Sequence, residues 1–243
     1  MRLISLFLVI GFCITIVGCS LLPKNSKEVE LNADFASSEQ SLEQGFADKE
    51  QTEDKEDAEL EKFRNMSQAE IETEIFGPAE TLYAMFDSTT LYCDANDTLT
   101  VDGMTYTAVK SAQPELDSSV DFSIYENFKN YTKTIFSDEF TDKLFKDSIK
   151  YVNYNGKLYA VSADRGNDIY YNSRTFAVTK VEKDKIEYTI YAKYIREEYS
   201  EDYFNGKWDN TTVPEYALET KEYIYPREKI NGKWVFTTFC SVY

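Results

Sequence analysis

Histidine is absent from all 243 residues. It is the usual general base near neutral pH and the commonest metal ligand, so Ser-His-Asp and Cys-His hydrolases and His-ligated zinc enzymes are excluded within this chain. Any catalysis would rest on carboxylates, Lys or Tyr. The expectation is therefore a binding or inhibitory protein, not an enzyme, with no catalytic residue, cofactor or metal site. Positive charge is also scarce: 26 Lys and Arg stand against 43 Asp and Glu, a formal net of −17. No basic stripe interrupts that acidity, and an acidic surface repels phosphate backbones, so nucleic acid is not an expected partner. Attraction to a basic protein surface remains open.

One long apolar run is present, and it lies at the very start. Arg2 supplies a short positive region, Leu3 to Ile16 an apolar stretch, and Gly18 precedes Cys19, the layout of a bacterial lipoprotein signal. Cleavage after residue 18 would make Cys19 the lipid attachment point. The protein would then be lipid-anchored to the outer face of the cell membrane, with a Gram-positive surface as its setting. The alternative is an uncleaved spanning helix. Gly11, Cys13, Thr15 and Gly18 interrupt the run, which is barely long enough to cross ~30 Å of hydrocarbon.

Residues 24–61 carry four Lys against thirteen acidic residues and show no sustained hydrophobic period. Such a segment buries too little apolar surface to offset its ordering entropy, so residues 19–64 are expected to form the lipidated Cys19 and a disordered acidic tether. Residues 65–243, with 21 basic and 30 acidic side chains among positions 62–243, are long enough for one core. Ser67-Gln68-Ala69-Glu70 is a capping box, followed by Ile71 and Ile75 at helical spacing until Gly77-Pro78 interrupts. Pro78 can open a second helix with Leu82, Tyr83, Met85 and Phe86 on one stripe. Further helices fit Asp121 to Ile135 and Asp138 to Asp147.

Elsewhere the period changes to two. Leu99 to Val101, Asp102-Gly103 and Met104 to Val109 read as a hairpin. Asn-Gly-Lys occurs at Asn155, Asn205 and Asn231, each expected to make a tight turn between strands. Thr175 to Val181, Lys185 to Ile195, Tyr216 to Tyr225 and Trp234 to Val242 are rich in Tyr, Phe, Val and Ile and mostly alternate with polar residues. The expected class is α+β: a curved antiparallel sheet with a few short helices packed on one side.

The densest local signal runs from Ile149 to Asn172, where a hairpin delivers the chain into Ala163-Asp164-Arg165-Gly166-Asn167-Asp168, followed by Tyr170 and Tyr171. Composition alone is satisfied by an ordinary polar turn with Arg165 paired to a neighbouring carboxylate. The Asn-Gly-Lys-Leu-Tyr hairpin, the Ala-Asp-Arg-Gly loop and the closing Ile230-Asn231-Gly232-Lys233-Trp234-Val235-Phe236 hairpin together resemble the IseA-type inhibitors of cell-wall DL-endopeptidases. Similar domains occur on clostridial surface lipoproteins. The resemblance covers roughly Ala79 to the C-terminus, and the lipid anchor and tether depart from the simple secreted form of that family. It implies a protein partner, an NlpC/P60-type cell-wall endopeptidase, whose cleft receives acidic stem peptides and is blocked by the inhibitor. Carboxylates on a rigid hairpin can compete for the donors that hold substrate carboxylates, which nominates Asp164 and Asp168, with Arg165 between them and Tyr170 and Tyr171 as aromatic anchors.

Other constellations are weaker. The Asp and Asn spacing in that loop does not match a twelve-residue calcium loop. Asp94 to Thr98 is explained by turn chemistry, and Glu197, Glu198, Glu201 and Asp202, interleaved with Tyr199 and Tyr203, by a solvated strand end. Cys93 and Cys240 are either a disulfide closing a long loop or two reduced thiols. The alternative function is a ligand-binding surface lipoprotein with a pocket in the concave sheet.

Overall fold

A computed structural model describes residues 55–88, 91–161, 166 and 168–242. The fold is α+β, with short helices and two four-stranded antiparallel sheets in place of the single curved sheet expected. The signal, Cys19 and most of the acidic tether lie outside the described residues.

Residues 55–64, placed in the tether by their charge, instead form helix α1. Leu60 and Phe63, one turn apart, are buried in the main core. Two well-placed apolar side chains decide this, and Glu56, Glu59 and Lys62 on the remaining faces form ion pairs with Lys229 and Glu74.

The capping box opens α2 (Gln68–Glu70): Ser67 Oγ accepts from the Glu70 amide and the Glu70 carboxylate accepts from the Ser67 amide at 2.7 Å. The expected break at Gly77-Pro78 does not occur. The rod continues through a π-turn (Ile71–Phe76) into α3 (Gly77–Asp87). Pro78 has no N–H to donate into an α-ladder, and widening the turn ahead of it absorbs that loss without ending the helix. Ile71, Ile75, Phe76, Ala79, Leu82, Met85 and Phe86 are all buried along this rod.

Sheet A has the order β1–β2–β4–β3, with β1 (Cys93–Val101), β2 (Met104–Val109), β3 (Tyr151–Tyr154) and β4 (Lys157–Ala160). Between β2 and β3 lie α4 (Tyr125–Thr132) and α5 (Asp138–Asp147). α4 starts later than expected because Asp121 Oδ1 accepts from both the amide and the hydroxyl of Ser123, holding that stretch as a turn. Sheet B has the order β5–β6–β7–β8, with β5 (Tyr171–Val181), β6 (Lys185–Ile195), β7 (Leu218–Ile230) and β8 (Lys233–Phe236). Asn155-Gly156 and Asn231-Gly232 turn the β3–β4 and β7–β8 hairpins with positive φ at both residues. The middle Asn-Gly does not join strands: Asn205 and Gly206 terminate the short helix α6 (Ser200–Phe204), and only Gly206 has positive φ.

Alternation along β6 puts Ile186, Tyr188, Ile190, Ala192 and Tyr194 on the inner face of sheet B, all buried. Phe76 is the centre of this core, its ring 5.0–6.0 Å from those of Phe176, Tyr188, Tyr225, Phe236 and Phe239. The core continues toward sheet A through Phe86, Phe128, Phe145 and Tyr151, and Tyr151 donates its hydroxyl to the Met85 carbonyl at 2.6 Å. Edge-to-face aromatic pairs of this kind add a directional preference to plain area burial.

Candidate functional site

Asp164 and Arg165 lie outside the described residues. Asp168, Tyr170 and Tyr171 sit where the chain enters β5. Asp168 Oδ1 accepts from the Tyr170 amide at 2.9 Å and its carbonyl from the Tyr171 amide at 3.1 Å, an Asx turn that leaves the carboxylate exposed. The Tyr170 carbonyl accepts from the Ile195 amide at 2.7 Å and so fixes this turn beside the end of β6.

The two tyrosines, expected to project as free anchors, are half-buried. Tyr171 packs edge-on to Tyr194 at 5.9 Å and Tyr170 against Phe204 at 5.9 Å. The apolar groups exposed here are Ile169, 63% accessible, and Phe204, 52% accessible.

Asp168 and Tyr170 share a cleft of about 320 Å³ with Tyr194, Ile195, Glu197, Glu219 and Lys221. Three carboxylates therefore meet one lysine. Lys221 is already engaged: Glu219 bonds it at 3.0 Å and holds its ammonium above the usual lysine range. The same ammonium lies 4.6 Å from the centre of the Tyr194 ring. Tyr194 donates to the Val242 carbonyl at 2.7 Å, and burial raises its phenol well above the ordinary range. The cleft thus has a rigid floor and an acidic rim.

Beside it, residues 196–217 leave sheet B as an excursion between β6 and β7. Its neck is closed by the Arg196 amide donating to the Ala217 carbonyl at 3.0 Å and by Arg196 Nε donating to the Leu218 carbonyl at 2.9 Å. What was expected to be a solvated strand end is a 3₁₀ turn (Glu197–Tyr199) running into α6. Tyr199, Trp208 and Tyr216 form a three-ring cluster with centroids 5.5–6.4 Å apart, and Tyr216 is 61% accessible. Lys207 lies 4.9 Å from the centre of the Trp208 ring and bonds Asp202 at 2.6 Å. Asn172 of β5 donates to the Asn210 carbonyl at 2.8 Å, tying the excursion to the Asp168 turn.

The interval between β6 and β7 is the signal that sequence reasoning missed. Two strands that pair directly need only a tight turn, as at residues 182–184 between β5 and β6; a long, aromatic-rich connection is an addition to the sheet.

The cysteines do not form the disulfide weighed from the sequence; both are free thiols. Cys93 is half-buried, with Sγ donating to the Leu91 carbonyl at 3.1 Å, and burial pushes its thiol up. Exposed Cys240 instead lies 3.5 Å from the Tyr225 hydroxyl.

Five clefts among the described residues, about 290 to 610 Å³ each, open to solvent. Among the described residues no helix is long and apolar enough to cross a membrane. No protein-family model matches the chain, and no curated protein matches it.

Proposed function

We propose that this is a lipid-anchored surface protein whose α+β domain binds a cell-wall DL-endopeptidase and inhibits it by occluding the catalytic cleft. The observation that carries the reading is the end of sheet B where Asp168, Glu197 and Glu219 make an acidic rim beside accessible Ile169, Phe204 and Tyr216. Exposed aromatic groups next to fixed carboxylates suit a protein partner that supplies cationic or amide donors, because the rings add buried area while the charges set register. The cleft at this end of sheet B is open to solvent and rimmed by charge, which suits a protein partner better than the enclosed apolar pocket that the alternative, a ligand-binding lipoprotein, calls for. The position of Cys19 on the membrane's outer face belongs to the same proposal, since it brings the domain to the compartment where such peptidases work.

The test is turnover of purified peptidoglycan by a DL-endopeptidase with increasing amounts of the full chain, beside an Asp168→Lys, Glu197→Lys variant. Dose-dependent loss of turnover that the variant fails to produce supports the proposal. Undiminished turnover at saturating wild-type chain overturns it.

A further inference from the structure

No residue from 197 to 216 is buried, whereas Ile195, Ala217 and Leu218 on either side of that stretch are. The excursion between β6 and β7 therefore leaves the core completely at its neck. The chain crosses the neck twice, and Arg196 fastens the two crossings together through its amide on the Ala217 carbonyl and its Nε on the Leu218 carbonyl. A body joined at two points can turn about the line between them.

Beyond the neck the excursion is fastened chiefly to itself. Lys207 binds Asp202 twice, its amide donating to the Asp202 carbonyl at 3.0 Å and its ammonium to the carboxylate at 2.6 Å. The Tyr203 hydroxyl donates to the side-chain oxygen of Asn210, and Asp209 Oδ1 accepts from the amides of Thr211 and Thr212 at 2.9 and 3.0 Å. Tyr199 near the start, Trp208 in the middle and Tyr216 at the end meet in the three-ring cluster, so both arms and the tip are linked. Pro214 stiffens the returning arm by fixing its φ, here −70°. The result is one body, packed by its own side chains, with its two ends held together.

Its contacts with the strands beside it are of another kind, because solvent reaches all of them. Asn172 Nδ2 donates to the Asn210 carbonyl at 2.8 Å, the accessible Phe204 ring meets Tyr170 edge-on at 5.9 Å, and Lys193 pairs with Glu215 at 2.9 Å. Exposed hydrogen bonds and ion pairs contribute little, so these contacts latch the excursion without anchoring it. The acidic cleft is built across this divide. Glu197 belongs to the excursion, and Asp168, Glu219 and Lys221 belong to the strands and the turn before β5.

We propose that residues 197–216 are a rigid flap that turns about the Arg196–Ala217 neck, is latched to the Asp168 turn by Asn172 and Phe204, and carries the Glu197 wall of the acidic cleft with it. The device is a property of the chain alone and does not rest on the peptidase reading.

The experiment measures a distance distribution by pulsed electron paramagnetic resonance in the full chain with its four native cysteines replaced by serine. Spin labels are placed at Asn205→Cys in the flap and Ile224→Cys on β7, both exposed positions. A main distance is expected together with a second, separate one, and Asn172→Ala combined with Phe204→Ala raises the share of the second at least threefold. In an unlabelled Trp234→Phe chain carrying the same two substitutions, Trp208 is the one remaining indole, and its emission should keep its wavelength and intensity because the ring cluster moves intact. A single distance, the same with and without the latch substitutions, overturns the proposal. So does a shift of Trp208 emission on removing the latch, which would mean that the segment unfolds instead of turning.

Discussion

Removing the Glu80 carboxylate tests how β5, an edge strand of sheet B, is held to the helical rod. Arg174 of β5 meets Glu80 of α3 in a two-pronged pair, Nη1 to Oε1 and Nη2 to Oε2, the latter at 2.8 Å, and the two side chains are only 14% and 15% accessible. Burial works against the arginine's charge, and Glu80, Tyr171 and Glu72 outweigh it, so the guanidinium stays above its ordinary range. In Glu80→Gln the shape is kept and the charge is lost. Breaking a fully buried pair costs about 3–5 kcal/mol. Glu72 remains 3.7 Å from Nη2 and some solvent reaches the site, which reduces the expected loss to about 2 kcal/mol. At a urea dependence of about 2 kcal/mol per molar, the unfolding midpoint falls by about 1 M. The double variant Glu80→Leu, Arg174→Met, with no stranded charge, should recover to within about 1 kcal/mol of wild type. Urea unfolding followed by tyrosine-dominated near-UV circular dichroism reads both. A Glu80→Gln loss under about 0.5 kcal/mol would refute the reasoning.

Three further perturbations have definite expectations. Phe76→Ala removes the ring at the centre of five others and should destabilise by about 4 kcal/mol in the same unfolding assay, the cost of a large cavity that its neighbours cannot refill. Gly232→Ala places a Cβ at φ +77° with nothing crowding it, so the loss, about 1 kcal/mol, is backbone strain alone and should appear as a small fall in midpoint with an unchanged slope. The α1 contacts should weaken in acid. Lys183 bonds Glu56 and holds its carboxyl below the usual value of 4.5, so the stabilisation is fully present above pH 4.5 and is lost as pH falls through the lowered value. In a Trp208→Phe chain the Trp234 emission, with Phe63 against its ring, should change in that window and not between pH 5 and 8.

The elements best anticipated from the sequence are those with strictly local causes. Ser67 and Glu70 cap each other across three residues, Asn155-Gly156 and Asn231-Gly232 supply positive φ, and the alternation of Ile186, Tyr188, Ile190, Ala192 and Tyr194 needs no knowledge of the rest of the chain. What escaped depends on distant partners. Nothing adjacent to Leu60 and Phe63 outweighs the surrounding acidic residues; the core they enter, with Trp234 about 170 residues away against Phe63, makes that helix worth forming. Pro78 looked like a break because the π-turn that absorbs it is a property of the packed rod. At the candidate site Asp168 is an exposed carboxylate held in a local Asx turn, while Tyr170 and Tyr171 turn inward because Phe204 and Tyr194 are there to receive them. Glu219 and Lys221 join Asp168 through the β5–β6–β7 register and Glu197 through the turn that follows β6, which no short motif encodes.

The central claim is that the Asp168 end of sheet B is the surface that engages a cell-wall DL-endopeptidase. The most direct measurement is calorimetric titration of a DL-endopeptidase catalytic domain with the full chain, comparing wild type, Asp168→Lys with Tyr216→Ala at this end, and Tyr154→Ala at the exposed tip of the β3–β4 hairpin. The account predicts binding by wild type and by Tyr154→Ala with the same affinity, and at least a hundredfold weaker binding by the Asp168→Lys, Tyr216→Ala chain. Equal affinity for all three, or loss only in Tyr154→Ala, would contradict it.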